Sequence, residues 1–88
     1  MEDRLERLIA EGEQLVPLGG PDVLSGPNRR LHDDYFAWRY RCVALLEELG
    51  PTAGHLLREL EADTRSYQFY QASASRVVGV MKAARLLT

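Results

Sequence analysis

Apolar residues recur every three to four positions along most of this chain, and that spacing restricts the secondary structure it can form. Between residues 3 and 16 they stand at Leu5, Leu8, Ile9, Leu15 and Val16. Because an α-helix completes a turn every ~3.6 residues, this spacing places them on one helical face. β-branched residues nowhere alternate with polar ones over five positions, as they would in a half-buried strand. The sequence therefore predicts an all-α fold.

Four helices are predicted, or five to six if short helices are counted separately, packed as a small bundle. The first covers residues 3–16, the second 31–49, the third 52–62 and the last 67–87. In the last helix the apolar residues follow a three-four repeat, which is the spacing of a packed seam. Val78 and Leu86 point away from that seam. They either pack against the first two helices or form an exposed apolar strip.

Single residues mark where these helices begin, end and pack. Asp33 and Asp34 fall in the first turn of the second helix, where the helix dipole favours acids. Gly50, followed by proline, is a stop signal, and Thr52 is a good N-cap for the third helix. Gly12 lies on the apolar face of the first helix, where it costs ~1 kcal/mol of helix stability. We therefore expect another helix to approach closely at Gly12.

Residues 17–29, between the first two helices, hold three prolines and three glycines among thirteen residues. This composition disfavours both helix and strand. We predict an ordered or semi-ordered surface loop, hereafter the Pro/Gly loop. Val23 and Leu24 are its only adjacent apolar pair, and we expect them to tuck back onto the bundle.

The length of 88 residues and a hydrophobic content of 45% indicate one small helical domain spanning residues 1–88. A folded chain of this size buries only roughly two-thirds of the surface that its unfolded form exposes. No apolar run is long enough for a membrane span, and the first residues are charged, so we expect a cytoplasmic protein without membrane contact. Cys42 is the one cysteine, so no intrachain disulfide is possible.

Charge is unevenly distributed along the chain. Residues 1–63 carry all 13 acidic groups and a net charge of −6, whereas residues 64–88 carry +4. We expect acidic and basic helices to lie side by side, with the alternative that the basic segment faces an acidic partner. Nucleic acid is the less favoured partner, because the late cations are spaced apart.

No residue pattern predicts catalysis, a metal or a cofactor. His32 and His55 lack further ligands at zinc spacing, and Cys42 lies on the apolar face of the second helix, where a buried, inert thiol is far more common than an activated one. The acidic pairs are adjacent in sequence, so their side chains diverge on a helix. The glycines of the Pro/Gly loop lack the Gly-Lys-Ser/Thr ending and the preceding strand of a phosphate-binding loop. We expect a protein that is not an enzyme.

Three stretches taken in order resemble a family of small helical accessory domains. They are Leu8-Ile9-Ala10-Glu11-Gly12-Glu13-Gln14-Leu15; Tyr35-Phe36-Ala37-Trp38 leading to Ala44-Leu45-Leu46-Glu47-Glu48-Leu49-Gly50-Pro51; and Tyr70-Gln71 leading to Gly79-Val80-Met81-Lys82-Ala83-Ala84. This pattern is similar to the amino-terminal domains of bacterial proteins that carry a Toll/interleukin-receptor-like (TIR) or predicted nucleotide-binding effector domain. It also resembles the death-fold-like and effector-associated adaptor modules of bacterial anti-phage systems.

The resemblance implies a non-catalytic role in which the domain recruits or oligomerises an effector. Two departures stand out. The Pro/Gly loop is longer than the usual link between the first two helices, and the acidic segment that usually follows the last helix is missing after Thr88. The second departure suggests an excised domain or a stand-alone adaptor.

The function expected from the sequence is a helical interaction domain that self-associates or docks onto an effector protein. The predicted contact residues are Arg76, Val78, Lys82, Arg85 and Leu86 on the last helix, with Glu6, Glu11 and Glu13 on the first. An apolar strip would be buried there, with flanking charges setting the orientation. The alternative is a small nucleic-acid-binding regulator that uses Arg29, Arg30, Arg39, Arg41 and the basic last helix.

Overall fold

Four α-helices make up most of the structure, which is a computed structural model describing residues 2–87. They are α1 (Glu2–Leu15), α2 (His32–Glu48), α3 (Gly54–Ala62) and α4 (Gln71–Ala84). Within the described residues there is no strand, only one isolated bridge between Gly20 and Tyr70. The predicted all-α bundle is confirmed.

Short 3₁₀ turns flank the helices and change two of the predicted boundaries. The turn Gly50–Ala53 contains Pro51, so α3 begins at Gly54 and Thr52 is not its N-cap, contrary to the prediction. The turn Thr64–Tyr67 is followed by extended backbone at Gln68. For that reason α4 begins at Gln71 rather than at residue 67.

The core is formed where α1, α2 and α4 meet. Trp38, Tyr35 and Phe69 are its largest fully buried side chains. The Trp38 Nε1 donates a hydrogen bond to the carbonyl of Leu8 at 2.8 Å, which ties α2 to α1. The rings of Tyr35 and Phe69 stack with centroids 4.7 Å apart, an arrangement that adds to their apolar burial.

Helix α4 packs against α1 at the point where α1 carries Gly12. A Cβ placed on Gly12 would lie 2.6 Å from Cγ2 of Val78, so the predicted close approach at this glycine is confirmed. Val78 is only 5% exposed. Of the two alternatives for Val78, packing against the first helix is therefore confirmed, because the missing side chain at Gly12 creates the space that Val78 fills. Its place among the predicted contact residues was wrong.

The Pro/Gly loop is ordered because backbone hydrogen bonds attach it to the segment that enters α4. The Gly20 and Asn28 amides both donate to the carbonyl of Phe69, at 3.0 and 2.9 Å. The Gln71 amide in turn donates to the carbonyl of Gly20 at 2.9 Å. No helix within residues 2–87 is long and apolar enough to cross a membrane.

Candidate interaction surface

The outermost part of the Pro/Gly loop presents two apolar side chains to solvent. Val23 is 80% and Leu24 is 100% exposed, so the expectation that they tuck back onto the bundle was wrong. Together we call them the loop tip. The turn holds them outward, since the Asp22 carboxylate accepts a 2.7 Å hydrogen bond from the Ser25 amide. This hydrogen bond also lowers the pKa of Asp22.

Gly26 closes the same turn. Its amide donates to the carbonyl of Val23 at 3.2 Å, and its φ of +83° is a value that glycine adopts without strain. The loop tip is therefore the apex of a turn whose two ends are hydrogen-bonded to the bundle.

A cleft lies beside the loop tip, between it and the first turns of α4. Its volume is about 490 Å³. Val23 lines one wall, Arg65 and Gln68 come from the segment before α4, and Ala72 and Arg76 come from α4 itself. This volume is within the range of about 300–1,000 Å³ that is usual for ligand-binding pockets.

Charges of both signs line the cleft. Asp63 and Arg76 form an ion pair of 3.0 Å, and Asp63 also accepts a 3.1 Å hydrogen bond from the Arg65 amide. The carboxylate of Asp22 and the guanidinium of Arg65 form no ion pair within residues 2–87. Two opposite charges on the rim are therefore without an ion-pair partner among the described residues.

Arg39 is a buried cation that contacts the segment before α4 and does not line the cleft. It is 6% exposed, its Nε donates to the Ser66 hydroxyl at 3.1 Å, and its guanidinium carbon lies 4.6 Å from the Tyr67 ring centroid. Stacking against aromatic rings partly compensates for the lost hydration of such a charge. Its Nη2 is buried without a hydrogen-bond partner among the described residues.

The charged residues predicted for the interaction surface instead connect the helices to one another. Arg85 donates to both carboxylate oxygens of Glu6, at 2.8 and 2.6 Å. Lys82 lies 3.9 Å from Glu13. The hydrogen bonds from Arg85 lower the pKa of Glu6. The expectation that acidic and basic helices lie side by side is confirmed.

The remaining residues of the predicted surface are dispersed. Glu11 pairs with Arg41 on α2 at 3.0 Å, and Arg76 belongs to the cleft. Leu86 is 88% exposed, but Val78, which was to share its strip, is buried. The structure therefore does not assemble these residues into one continuous apolar surface.

The cations proposed for nucleic-acid binding are similarly divided. Arg39 is buried and Arg41 is paired with Glu11. Arg29 and Arg30 are exposed and have no ion-pair partner within residues 2–87.

The groups considered for chemistry lie apart. No cluster of three or more His, Cys, Asp and Glu side chains among the described residues could hold a metal ion. Cys42 is fully buried, and burial raises the pKa of its thiol to about 12. Such a thiol is protonated at neutral pH and is a poor nucleophile.

Sequence reasoning identified Val23 and Leu24 as a pair but not as an exposed one. The available signal was their position between Pro21 and Gly26, since a proline and a glycine on either side favour a tight turn that projects from the surface. No sequence pattern predicted the cleft, because one wall comes from residues 21–23 and the others come from residues 63–76.

Comparison of the chain with protein-family models, with curated proteins and with solved structures found no match.

Proposed function

We propose that this chain is a non-catalytic helical interaction domain that self-associates or recruits an effector protein, with the loop tip and the neighbouring cleft as its contact surface. The observation that carries the proposal is the full exposure of Leu24 on a loop that hydrogen bonds hold in place. Two adjacent apolar side chains at the apex of a hydrogen-bonded turn provide apolar area that a partner can bury, which favours a binding role.

Preorganisation supports the same conclusion. Ordering a flexible side chain on binding costs about 0.5–1.5 kcal/mol, and ordering a loop costs more. Here the amides of Gly20, Asn28 and Gln71 already hold the loop in one conformation. A partner that buries Leu24 therefore gains apolar contact without paying for loop ordering.

The resemblance to accessory domains of TIR-type and anti-phage effector proteins suggests the kind of partner. On this proposal the domain provides contact and the partner provides the activity. The cations and acids of α1 and α4 then act mainly within the domain, holding those helices together.

Site-specific photo-crosslinking tests the proposal. A photoreactive amino acid replaces Leu24 in the full chain, which is expressed in the cells that make it naturally, and Glu59, exposed on α3, serves as the control position. We expect a discrete covalent adduct from position 24 and none from position 59, with mass spectrometry identifying the captured protein. Equal or absent adducts at both positions would contradict an interaction surface at the loop tip.

A nucleic-acid-binding regulator is the second candidate, supported by the adjacent and exposed Arg29 and Arg30. Phosphate contacts make such binding weaken steeply with salt. A fluorescence-anisotropy titration of labelled duplex and single strand tests it. Binding at low salt that is lost in the Arg29→Gln/Arg30→Gln variant would favour this candidate, and absence of binding at low salt would remove it.

A further inference from the structure

The loop tip and the cleft are a projection and a depression side by side on the same face of the molecule. Val23 belongs to both, because it is half of the tip and also lines the cleft. Leu24 is the next residue and points into solvent, so it leaves the cleft of its own chain unfilled. Where an apolar projection lies next to an open cleft, two identical molecules can each insert the projection into the cleft of the other.

The rim charges agree with such an arrangement. Asp22, which precedes the loop tip, and Arg65 both line the cleft, and neither has an ion-pair partner within residues 2–87. The pKa of Asp22 is lowered by its hydrogen bonds to Ser25 and Leu24 within the turn. A two-fold axis between tip and cleft would bring each Asp22 towards the Arg65 of the second copy.

We propose that the chain forms a two-fold symmetric dimer in which Leu24 of each copy inserts into the cleft of the other. A two-fold interface uses the same surface on both copies, so tip and cleft must be neighbours, as they are here. The Asp22 and Arg65 charges flank each insertion and fix its direction. This inference rests on the proposed function and names a second copy as the partner.

Sedimentation velocity over about three decades of concentration, up to roughly 1 mM, measures the dimer of the purified full chain. Leu24→Asp removes the projection, and Ala72→Trp fills the cleft from an exposed position in the first turn of α4. Leu86→Asp is the matched control, since that leucine is 88% exposed but lies outside both features. Circular dichroism confirms that each variant is folded.

We expect the wild-type chain and Leu86→Asp to dimerise with the same dissociation constant. Leu24→Asp and Ala72→Trp should each raise the dissociation constant of the dimer at least about 100-fold, because both reciprocal insertions are lost at once. A mixture of the two variants should form a heterodimer more readily than either forms a homodimer. In that mixture the intact Leu24 of the cleft-filled copy enters the open cleft of the other.

A wild-type chain that stays monomeric up to roughly 1 mM would overturn the dimer, as would a dimer that Leu24→Asp leaves unchanged or a mixture without heterodimer. These results are distinguishable from failure of the proposed function. If the purified chain is monomeric but position 24 crosslinks to a different protein in cells, the dimer is wrong and the interaction domain stands. If position 24 crosslinks to nothing, the proposed function itself fails.

Discussion

Gly12 on α1 lies against the indole ring of Trp38 on α2, with no space between them for even one additional carbon. A Cβ at this position would overlap ring atoms Cζ2 and Cη2 of Trp38, and would also lie 2.6 Å from Cγ2 of Val78 on α4. Three helices therefore meet at one glycine, so the size of this residue controls how closely they pack.

The substitution Gly12→Ala should destabilise the fold. Alanine gains about 1 kcal/mol of helix propensity over glycine, but overpacking a well-filled core costs about 1–3 kcal/mol, and here two neighbours must move. Because Trp38 is large and buried, it has little freedom to shift. We expect a net loss in the free energy of unfolding, measured by urea denaturation.

Gly79 provides the matched control, since it lies within α4 and has no atom within 4 Å of an added Cβ. Gly79→Ala should stabilise the protein by roughly 0.5–1 kcal/mol through helix propensity alone. If both alanine variants were stabilised equally, the tight junction at Gly12 would not exist in solution.

The hydroxyl group of Tyr35 links α2 to the segment before α4. Its hydroxyl donates to the backbone carbonyl of the buried Ser66 at 2.6 Å. Burial raises the pKa of Tyr35, so the hydroxyl keeps its proton and remains a donor. Tyr35→Phe leaves that carbonyl without this donor and should lower the free energy of unfolding by about 1–3 kcal/mol.

Tyr40→Phe is the comparison for this measurement, because Tyr40 is 74% exposed on the same helix. Removing an exposed hydroxyl should change stability by less than about 0.5 kcal/mol. Equal effects of the two substitutions in urea denaturation would show that the Tyr35 hydrogen bond contributes nothing specific.

The elements that follow from local pattern were predicted from the sequence. The bounds of α1 and α2 agree with their apolar spacing to within a residue or so, and the helix stop at Gly50 has the positive φ of +78° expected of a C-terminal glycine. These local features were enough to predict the all-α class, since apolar spacing and helix stop signals are properties of residues close together in sequence.

Among the features that depend on distant residues, the close helix approach at Gly12 was predicted, but the start of α4, the burial of Val78 and the cleft were not decided by the sequence. Helix α4 starts at Gln71 because the amide of that residue and the carbonyl of Phe69 are bonded to the Pro/Gly loop, about 50 positions earlier. Val78 is buried because Gly12 leaves space for it. The hydrogen bonds that hold the Pro/Gly loop place Val23 beside α4 at the cleft, so periodicity along a single helix could not have found the candidate surface.

Protonation of Glu6 should contribute to a loss of folding stability in acid. Its pKa in the folded state is below the ordinary 4.5, because Arg85 donates hydrogen bonds to it. The stabilisation is therefore complete above pH 4.5 and disappears as pH falls through the lowered value. Glu6→Gln should have a lower melting temperature than the wild type at pH 7, and the difference should close in acid below pH 4.5.

A comparison with Glu47→Gln isolates this effect, since Glu47 is exposed and has no ion pair within residues 2–87. That variant also removes one negative charge, but its melting temperature should stay close to that of the wild type at pH 7. A Glu6→Gln difference that persisted unchanged at pH 3 would argue against the Arg85 contact as its cause.

The thiol of Cys42 should be unreactive in the folded protein. It is completely buried, and its pKa of about 12 leaves almost no thiolate at pH 8. With Ellman's reagent at pH 8 we expect no prompt release of thionitrobenzoate from the native chain and one equivalent after addition of guanidinium chloride. Rapid labelling of the native protein would mean that α2 opens at this position.

Hydrogen exchange tests whether the Pro/Gly loop is held against the bundle. The Gly20 and Asn28 amides donate to the carbonyl of Phe69, whereas the exposed Val23 has no hydrogen bond from its amide among the described residues, so the first two should exchange more slowly than Val23. Gly19→Ala places a Cβ 2.5 Å from the Gln71 nitrogen and should push the loop away. We expect exchange at Gly20 and Asn28 to accelerate at least about tenfold, which corresponds to ~1.4 kcal/mol, while amides within α1 stay protected. Exchange at Gly20 as fast as at Val23 in the wild type would contradict the preorganised loop on which the interaction surface depends.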